Sequence, residues 1–178
     1  VVTLSGGVVS SDGTSARTLV NGLSMGGTVT LGDGTKNGTM TFGGTSVMTG
    51  NTTLTVPSNV VLGGALGGAF TLTKAGVGAL TLSGVNTYNG GTVVNAGNVY
   101  VGNDSGLGTG VVTIGGGVVS SDGTSGRTML NGVSIGAAAT LGDAVKNGVL
   151  SFGGVGTLTA NATVTTLSDV VFGGALGG

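Results

Sequence analysis

The 178-residue chain contains no cysteine and no histidine. That removes disulfides, thiolate metal sites, thiol nucleophiles and the commonest general base. Glutamate is absent as well, and charged residues make up only 6% of the chain, with a net charge of −1. Such a set supplies no basic footprint for nucleic acid or for an anionic lipid surface. Proline occurs once, at Pro57, and aromatics account for 3%, so a core must be filled by aliphatic side chains. No apolar run approaches the ~20 residues that a membrane-crossing helix needs.

What the chain has in excess is glycine, 42 residues, without the three-residue period that collagen demands. A hydrophobic fraction of 39% opposes disorder, which goes with low hydrophobicity or high charge. The chain also repeats itself. Val1 to Gly68 align without a gap onto Val111 to Gly178, and 42 of 68 positions are identical. Gly6 to Ser15 returns letter for letter as Gly116 to Ser125, and Gly63 to Gly68 as Gly173 to Gly178. Duplication with a period of about 110 residues follows. Residues 1–110 make the first full period, and residues 111–178 a partial second period of one continuous unit.

Where the two copies differ, the differences have a pattern. Leu4/Ile114, Leu23/Val133, Met25/Ile135, Met40/Leu150, Leu54/Val164 and Leu62/Phe172 exchange one apolar residue for another, while neighbours such as Thr28/Ala138 and Thr39/Val149 drift in polarity. Strands with one packed and one wet face behave in this way. Gly13, Gly22, Gly32, Gly38, Gly43 and Gly44 recur, which assigns them positive φ or close backbone approach; Gly34 becomes Ala144 and so tolerates a Cβ. Short β-branched segments such as Thr28–Leu31, Thr39–Phe42, Thr53–Val56 and Ala79–Leu82 are separated by Gly, Asn and Asp, and helix is disfavoured throughout.

A sandwich would leave strand edges at risk, whereas a solenoid has edges only at its ends. The expected fold is therefore all-β: a right-handed parallel β-solenoid (β-helix) of about 22 residues per coil, from five coils per period. Leu31, Phe42, Leu54 and Leu62 are expected to point inward, with Leu141, Phe152, Val164 and Phe172. The copies should superpose after a shift of about 24 Å, five strand spacings, with a modest twist. Both ends begin or stop inside the repeat pattern without a cap, and further copies are expected to cover them.

Chemistry is hard to place on this chain. Four of the six aspartates are repeat mates, Asp12/Asp122 and Asp33/Asp143, a whole period apart and too distant to act as a catalytic pair. Each sits in a turn-like context, where Asp hydrogen-bonds its own turn. Arg17/Arg127 and Lys36/Lys146 recur beside them as partners for local ion pairs or for a neighbouring rod. Asn21/Asn131, Asn37/Asn147 and Asn51/Asn161 recur too, and could form amide ladders between coils. The run Gly102 to Gly108 lacks the nine-residue recurrence of Asp that calcium-binding coils need. No catalytic, cofactor-binding or metal-binding residue is predicted.

One segment carries a family resemblance. Phe70-Thr-Leu-Thr-Lys74-Ala-Gly76-Val-Gly78-Ala-Leu80-Thr-Leu-Ser-Gly84-Val-Asn86-Thr-Tyr88-Asn-Gly90-Gly-Thr92-Val-Val-Asn-Ala-Gly97 looks like the autotransporter-associated β-strand repeat. The resemblance implies a bacterial surface or secreted protein whose passenger is a long, often adhesive, parallel β-helix, with the segment assisting outward folding. From the residues alone, Leu72, Leu80 and Leu82 point inward, Lys74 points to solvent and Tyr88 covers an edge with its hydroxyl wet.

The functional expectation is a structural and interaction protein without enzyme activity: a repeat segment of an extracellular β-helical fibre or adhesin, mediating surface attachment, cell–cell contact or filament formation. Its partners would be further copies end to end, laterally bundled rods, and a host or bacterial surface or glycan. An alternative is an ice- or surface-binding solenoid, from the pairs Thr28/Thr30, Thr39/Thr41, Thr53/Thr55 and Thr71/Thr73, although these degrade in the second copy. A polysaccharide-binding or -degrading β-helix ranks below both.

Overall fold

The computed structural model describes residues 1–159 and 161–178. Among them are 22 short strands and no helix. All strand pairing is parallel, in ladders that climb a single rod. Each coil has three faces. The first coil shows them in order as Val2–Leu4, Val8–Val9 and Arg17–Leu19, and Leu23–Leu31 then opens the next coil against Val2–Leu4. Leu23–Leu31 and Ser46–Thr55 each run through two faces, with a register shift between Met25 and Gly27 at the bend. The expected parallel solenoid is what the chain forms.

Side chains alternate in and out as the pleat requires. On the third face Met40, Val60, Leu80, Val99 and Val119 stack in register, as do Phe42, Leu62, Leu82 and Val101, and all are buried. Between those two columns Thr41, Val61, Thr81 and Tyr100 point out. The predicted inward residues Leu31, Phe42, Leu54, Leu62, Leu141 and Phe152 are buried, and Val164 and Phe172 pack against the same core. Phe172 stacks on Phe152 with ring centroids 5.9 Å apart. At one corner Gly44, Gly64 and Gly84 lie one above the next, each backbone where a neighbour's Cβ would be. The recurrence of Gly44 has its cause there, and Gly22 and Gly38 are blocked in the same way by Thr45 and Ser15. Gly32 has φ 100°. Gly13 and Gly43 depart from the expectation: neither has positive φ, Gly13 faces open space and Gly43 has only ordinary contacts.

Coil length varies with the corners. Val2 pairs with Leu23 and Ser24 with Val47, whereas Thr52, Leu72, Thr92 and Val112 follow one another at shorter and equal steps. The repeat is therefore not a whole number of coils. Val119 stacks on Val99, Leu80, Val60, Met40 and Arg17 in turn. It lies five coils above Arg17, but its repeat mate is Val9, one face earlier. One period thus holds five coils and one further face, so the copies are related by a rise of about 26 Å, from five and a third strand spacings, and about a third of a turn. The expected translation with only a modest twist is wrong. The short coils in the middle of the period, their corners drawn tight by stacked glycines, leave the surplus that carries the second copy onto the next face.

Candidate interaction surface

Two loops make the long coils long. Residues 10–16 and 32–39 leave the rod at the same corner, between its second and third faces. They are tied together: Ser11 Oγ donates to the Lys36 carbonyl at 2.8 Å, and Gly38 N–H to the Gly13 carbonyl at 3.1 Å. Residues 122–126 and 142–149 form the same knob in the second copy, with Ser121 Oγ donating to the Lys146 carbonyl at 3.1 Å and Gly148 N–H to the Gly123 carbonyl at 3.0 Å. Of the 11 charged residues, eight belong to these two knobs or their bases: Asp12, Arg17, Asp33, Lys36, Asp122, Arg127, Asp143 and Lys146. The rest of the rod presents an almost uncharged surface.

Within the first knob, Arg17 donates through Nε and Nη2 to Asp12 Oδ1, at 3.0 and 2.6 Å. The hydrogen bond and charge of Arg17 hold the Asp12 carboxyl below the usual range. Asp33 makes no salt bridge with Lys36. Its Oδ1 accepts the Thr35 hydroxyl and the backbone N–H groups of Thr35 and Lys36 at 2.7–2.9 Å, and these bonds bring its pKa to about 2. The local-turn reading thus describes Asp33, and the ion-pair reading describes Asp12. Asp143 repeats the turn with Lys146 and Val145 N–H and is lowered for the same reason.

The second knob has a floor. It overhangs the third-face strand Asn98–Val101, where Lys146 Nζ sits 4.0 Å above the centre of the Tyr100 ring, a cation–π contact. The Tyr100 hydroxyl donates to Asp143 Oδ2 at 3.3 Å and accepts from Asn98 Nδ2 at 2.9 Å. Arg127 keeps Asp122 at 2.7 Å through Nη2 and turns Nε to the Val101 carbonyl at 3.0 Å. Sequence reasoning found the recurring charges but missed Tyr100, because its partners Asp143 and Lys146 lie in a loop two coils further along the chain.

The segment that resembles a known repeat keeps its polar groups inside. Lys74, expected in solvent, is fully buried. Its Nζ donates to the carbonyls of Ala75, Gly76 and Ala96 at 3.0, 2.7 and 3.0 Å. Three carbonyls satisfy the three N–H groups of an ammonium, while burial pulls its pKa down to about 8. Gly97 leaves the room that the Lys74 head group occupies. Tyr88, expected with a wet hydroxyl, is also fully buried, and its hydroxyl lies 2.6 Å from Thr92 Oγ1, which itself donates to the Leu107 carbonyl at 3.0 Å. Asn86 accepts from Leu66 N–H at 2.8 Å and donates to the Gly106 carbonyl at 2.6 Å. Its amide bridges three coils on the first face, at a level where residues 85–89 form no strand. Leu72, Leu80 and Leu82 point inward as expected.

The other sequence-derived candidates separate. Thr28, Thr53 and Thr73 stack on the second face with Thr30 and Thr55 beside them, but the columns run on into Val93 and Ala75, and Thr39 and Thr41 belong to another face. Asn51 Oδ1 accepts the Thr71 N–H and Asn131 Nδ2 donates to the Gly108 and Gly110 carbonyls, so these amides cap backbone rather than one another.

Residues 72–101 match the passenger-associated-transport-repeat family. The chain is also similar to the adhesin BmaC autotransporter of Brucella suis biovar 1 (strain 1330), with 36% identity over 159 residues. That alignment takes in 80% of this chain and 4% of the relative, so the chain spans a small fraction of the relative's length. No solved structure matches it significantly. The buried polar set Lys74, Asn86, Tyr88 and Thr92 thus lies inside a passenger-associated transport repeat, and the chain carries an autotransporter passenger repeat within its β-helix.

Proposed function

We propose that the chain is a segment of an adhesin-like passenger, exposed at the bacterial surface or outside the cell, whose work is contact rather than catalysis. The observation that carries this is the concentration of charge in two knobs on an otherwise nearly uncharged rod built around a passenger repeat. A stiff rod sets distance, and its protruding polar loops are where a partner finds directional groups. The repeat period acts as the building unit, residues 1–110 and 111–178 being one unit and part of the next. Rods of this kind extend by stacking further copies end to end, because each coil completes the hydrogen bonding of the one before it. Lateral contacts between rods and contacts with a host or bacterial surface or glycan fall to the knobs.

The test is retention. Beads coated with the purified chain are passed over epithelial cell layers and bacterial lawns, beside beads carrying a variant with Asp12, Arg17, Asp122 and Arg127 all changed to Ser. The adhesive reading expects retention of the first and a several-fold loss for the second. If neither is retained on any surface, the segment is a spacer.

A further inference from the structure

The third face carries a trough between the two knobs. At its lower end stands Thr39, where the first knob rejoins the rod, and at its upper end Lys146 of the second knob, which overhangs the same face. Met40, Val60, Leu80 and Val99 stack beneath it, three strand spacings or about 14 Å along the axis. Its volume is about 350 Å³, within the range of small-molecule sites. Both copies supply its walls, because the further third of a turn brings the second knob over a strand of the first period.

Two rows of outward side chains make the floor. Asn59, Ala79 and Asn98 lie in one row, and Val61, Thr81 and Tyr100 in the other. Asn59 Oδ1 accepts the Ala79 N–H at 3.3 Å, and Asn98 Nδ2 donates to the Tyr100 hydroxyl at 2.9 Å. Asn59 Nδ2 is left as a donor, Asn98 Oδ1 as an acceptor, and the Thr39 and Thr81 hydroxyls as either. Among the described residues none of these four groups has a protein partner. Aliphatic carbon of Val61 and Ala79 lies between them, with the exposed Val77 at the side. The charges nearby are already engaged. Lys146 Nζ sits on the Tyr100 ring and donates to the Asp122 carbonyl at 3.2 Å, and Asp143 Oδ2 accepts the Tyr100 hydroxyl. Each floor strand is paired on both sides, so no edge is open to an extended peptide. Neutral donors and acceptors around aliphatic carbon match a ligand with hydroxyls at its rim and C–H groups on its faces. We infer that the trough binds an uncharged oligosaccharide, two or three sugar residues lying along the rod axis. This deepens the adhesive reading above by giving a glycan its site, and it rests on that reading for its use.

The test is a titration of the isotope-labelled full chain, followed by N–H correlation spectra. The probes are cellotriose, maltotriose, globotriose and triacetylchitotriose, with sialyllactose as the charged comparison. At millimolar concentration at least one neutral trisaccharide should shift the side-chain amides of Asn59 and Asn98 and the backbone amides of Ala79 and Thr81, and the shifts should saturate. Thr81→Val keeps the strand propensity and removes one hydroxyl. It should weaken that binding about three- to tenfold, the worth of one hydrogen bond. Thr28→Val, the same change at an exposed position of the second face, should leave binding unaltered. Absence of shifts with all four neutral probes, or shifts confined to other residues, would overturn the inference. So would tighter binding of sialyllactose, or equal affinity for the Thr81→Val and Thr28→Val variants. Saccharide binding without retention of the beads would remove the adhesive reading and keep the trough. Retention of the beads without saccharide binding would do the reverse.

Discussion

The two copies of the repeat place the same residues in two settings. In the first copy, Asp12 and Arg17 form their ion pair with side chains 74% and 49% exposed; in the second, Asp122 and Arg127 form it at 30% and 21%. Val9 and Leu19 are half-buried, whereas Val119 and Met129 are fully buried. Asn21 is exposed, whereas Asn131 is buried and bonded to two carbonyls of the coil beneath it. The local sequence barely distinguishes these pairs. The coil formed by residues 91–110 does, by supplying the Tyr100 ring, the Val101 carbonyl and the Gly108–Gly110 turn on which the second copy rests. In a solenoid, burial is a property of the junction between coils more than of the coil.

The largest test of that comparison lies in the core. Met129→Ala should cost about 2–5 kcal/mol by denaturant unfolding, the range for a buried Met or Leu truncated to Ala. Leu19→Ala, at the half-buried equivalent position, should cost less than half as much. Equal costs would show that the copies unfold as one block, insensitive to local cover. Next comes the segment of residues 72–101. Lys74→Met leaves three carbonyls without their donor and should destabilise by about 2 kcal/mol or more, with hydrogen exchange rising first around residues 75–97. No loss would mean that water replaces the ammonium.

A smaller difference is expected from the amides. Asn131→Ala removes two hydrogen bonds to backbone carbonyls and should cost about 1–2 kcal/mol, whereas Asn21→Ala should leave the unfolding midpoint unchanged. If both changes were silent, the contact with Gly108 and Gly110 would carry no energy. The smallest effect concerns pH. Asp33, with its pKa lowered from 3.8 to about 2, and Asp143, lowered in direction, both favour the folded turn once ionised. Their contribution is complete above the unfolded value and fades as pH falls from about 4 through about 2. Acid titration should loosen both knobs in that window, read as faster exchange of the Thr35 and Val145 amides. Loosening that begins near pH 6 would exclude these carboxylates as the cause.

The amino-acid sequence by itself determined the solenoid. Alternating apolar substitutions between Leu54/Val164 and Leu62/Phe172 mark the inward face, because only a packed interior keeps its hydrophobicity while its neighbours drift. The turn chemistry of Asp33 and Asp143 was legible too, since an Asp bonding the next two or three N–H groups is a local matter. Lys74 and Tyr88 were misplaced because polarity sends a lysine or a phenol to water unless partners wait inside. Those partners, Ala96 and Thr92, arrive from the corner and the coil that fold around them. Tyr100 gained its partners from a loop two coils further along the chain. The winding of the repeat was likewise beyond the pattern of letters. The period can be counted in the sequence, but whether it closes a whole number of coils depends on how much chain each corner takes up. Only the tertiary structure decided that, because backbone stacking, with the room its glycines leave, fixes the length of every coil against the one below.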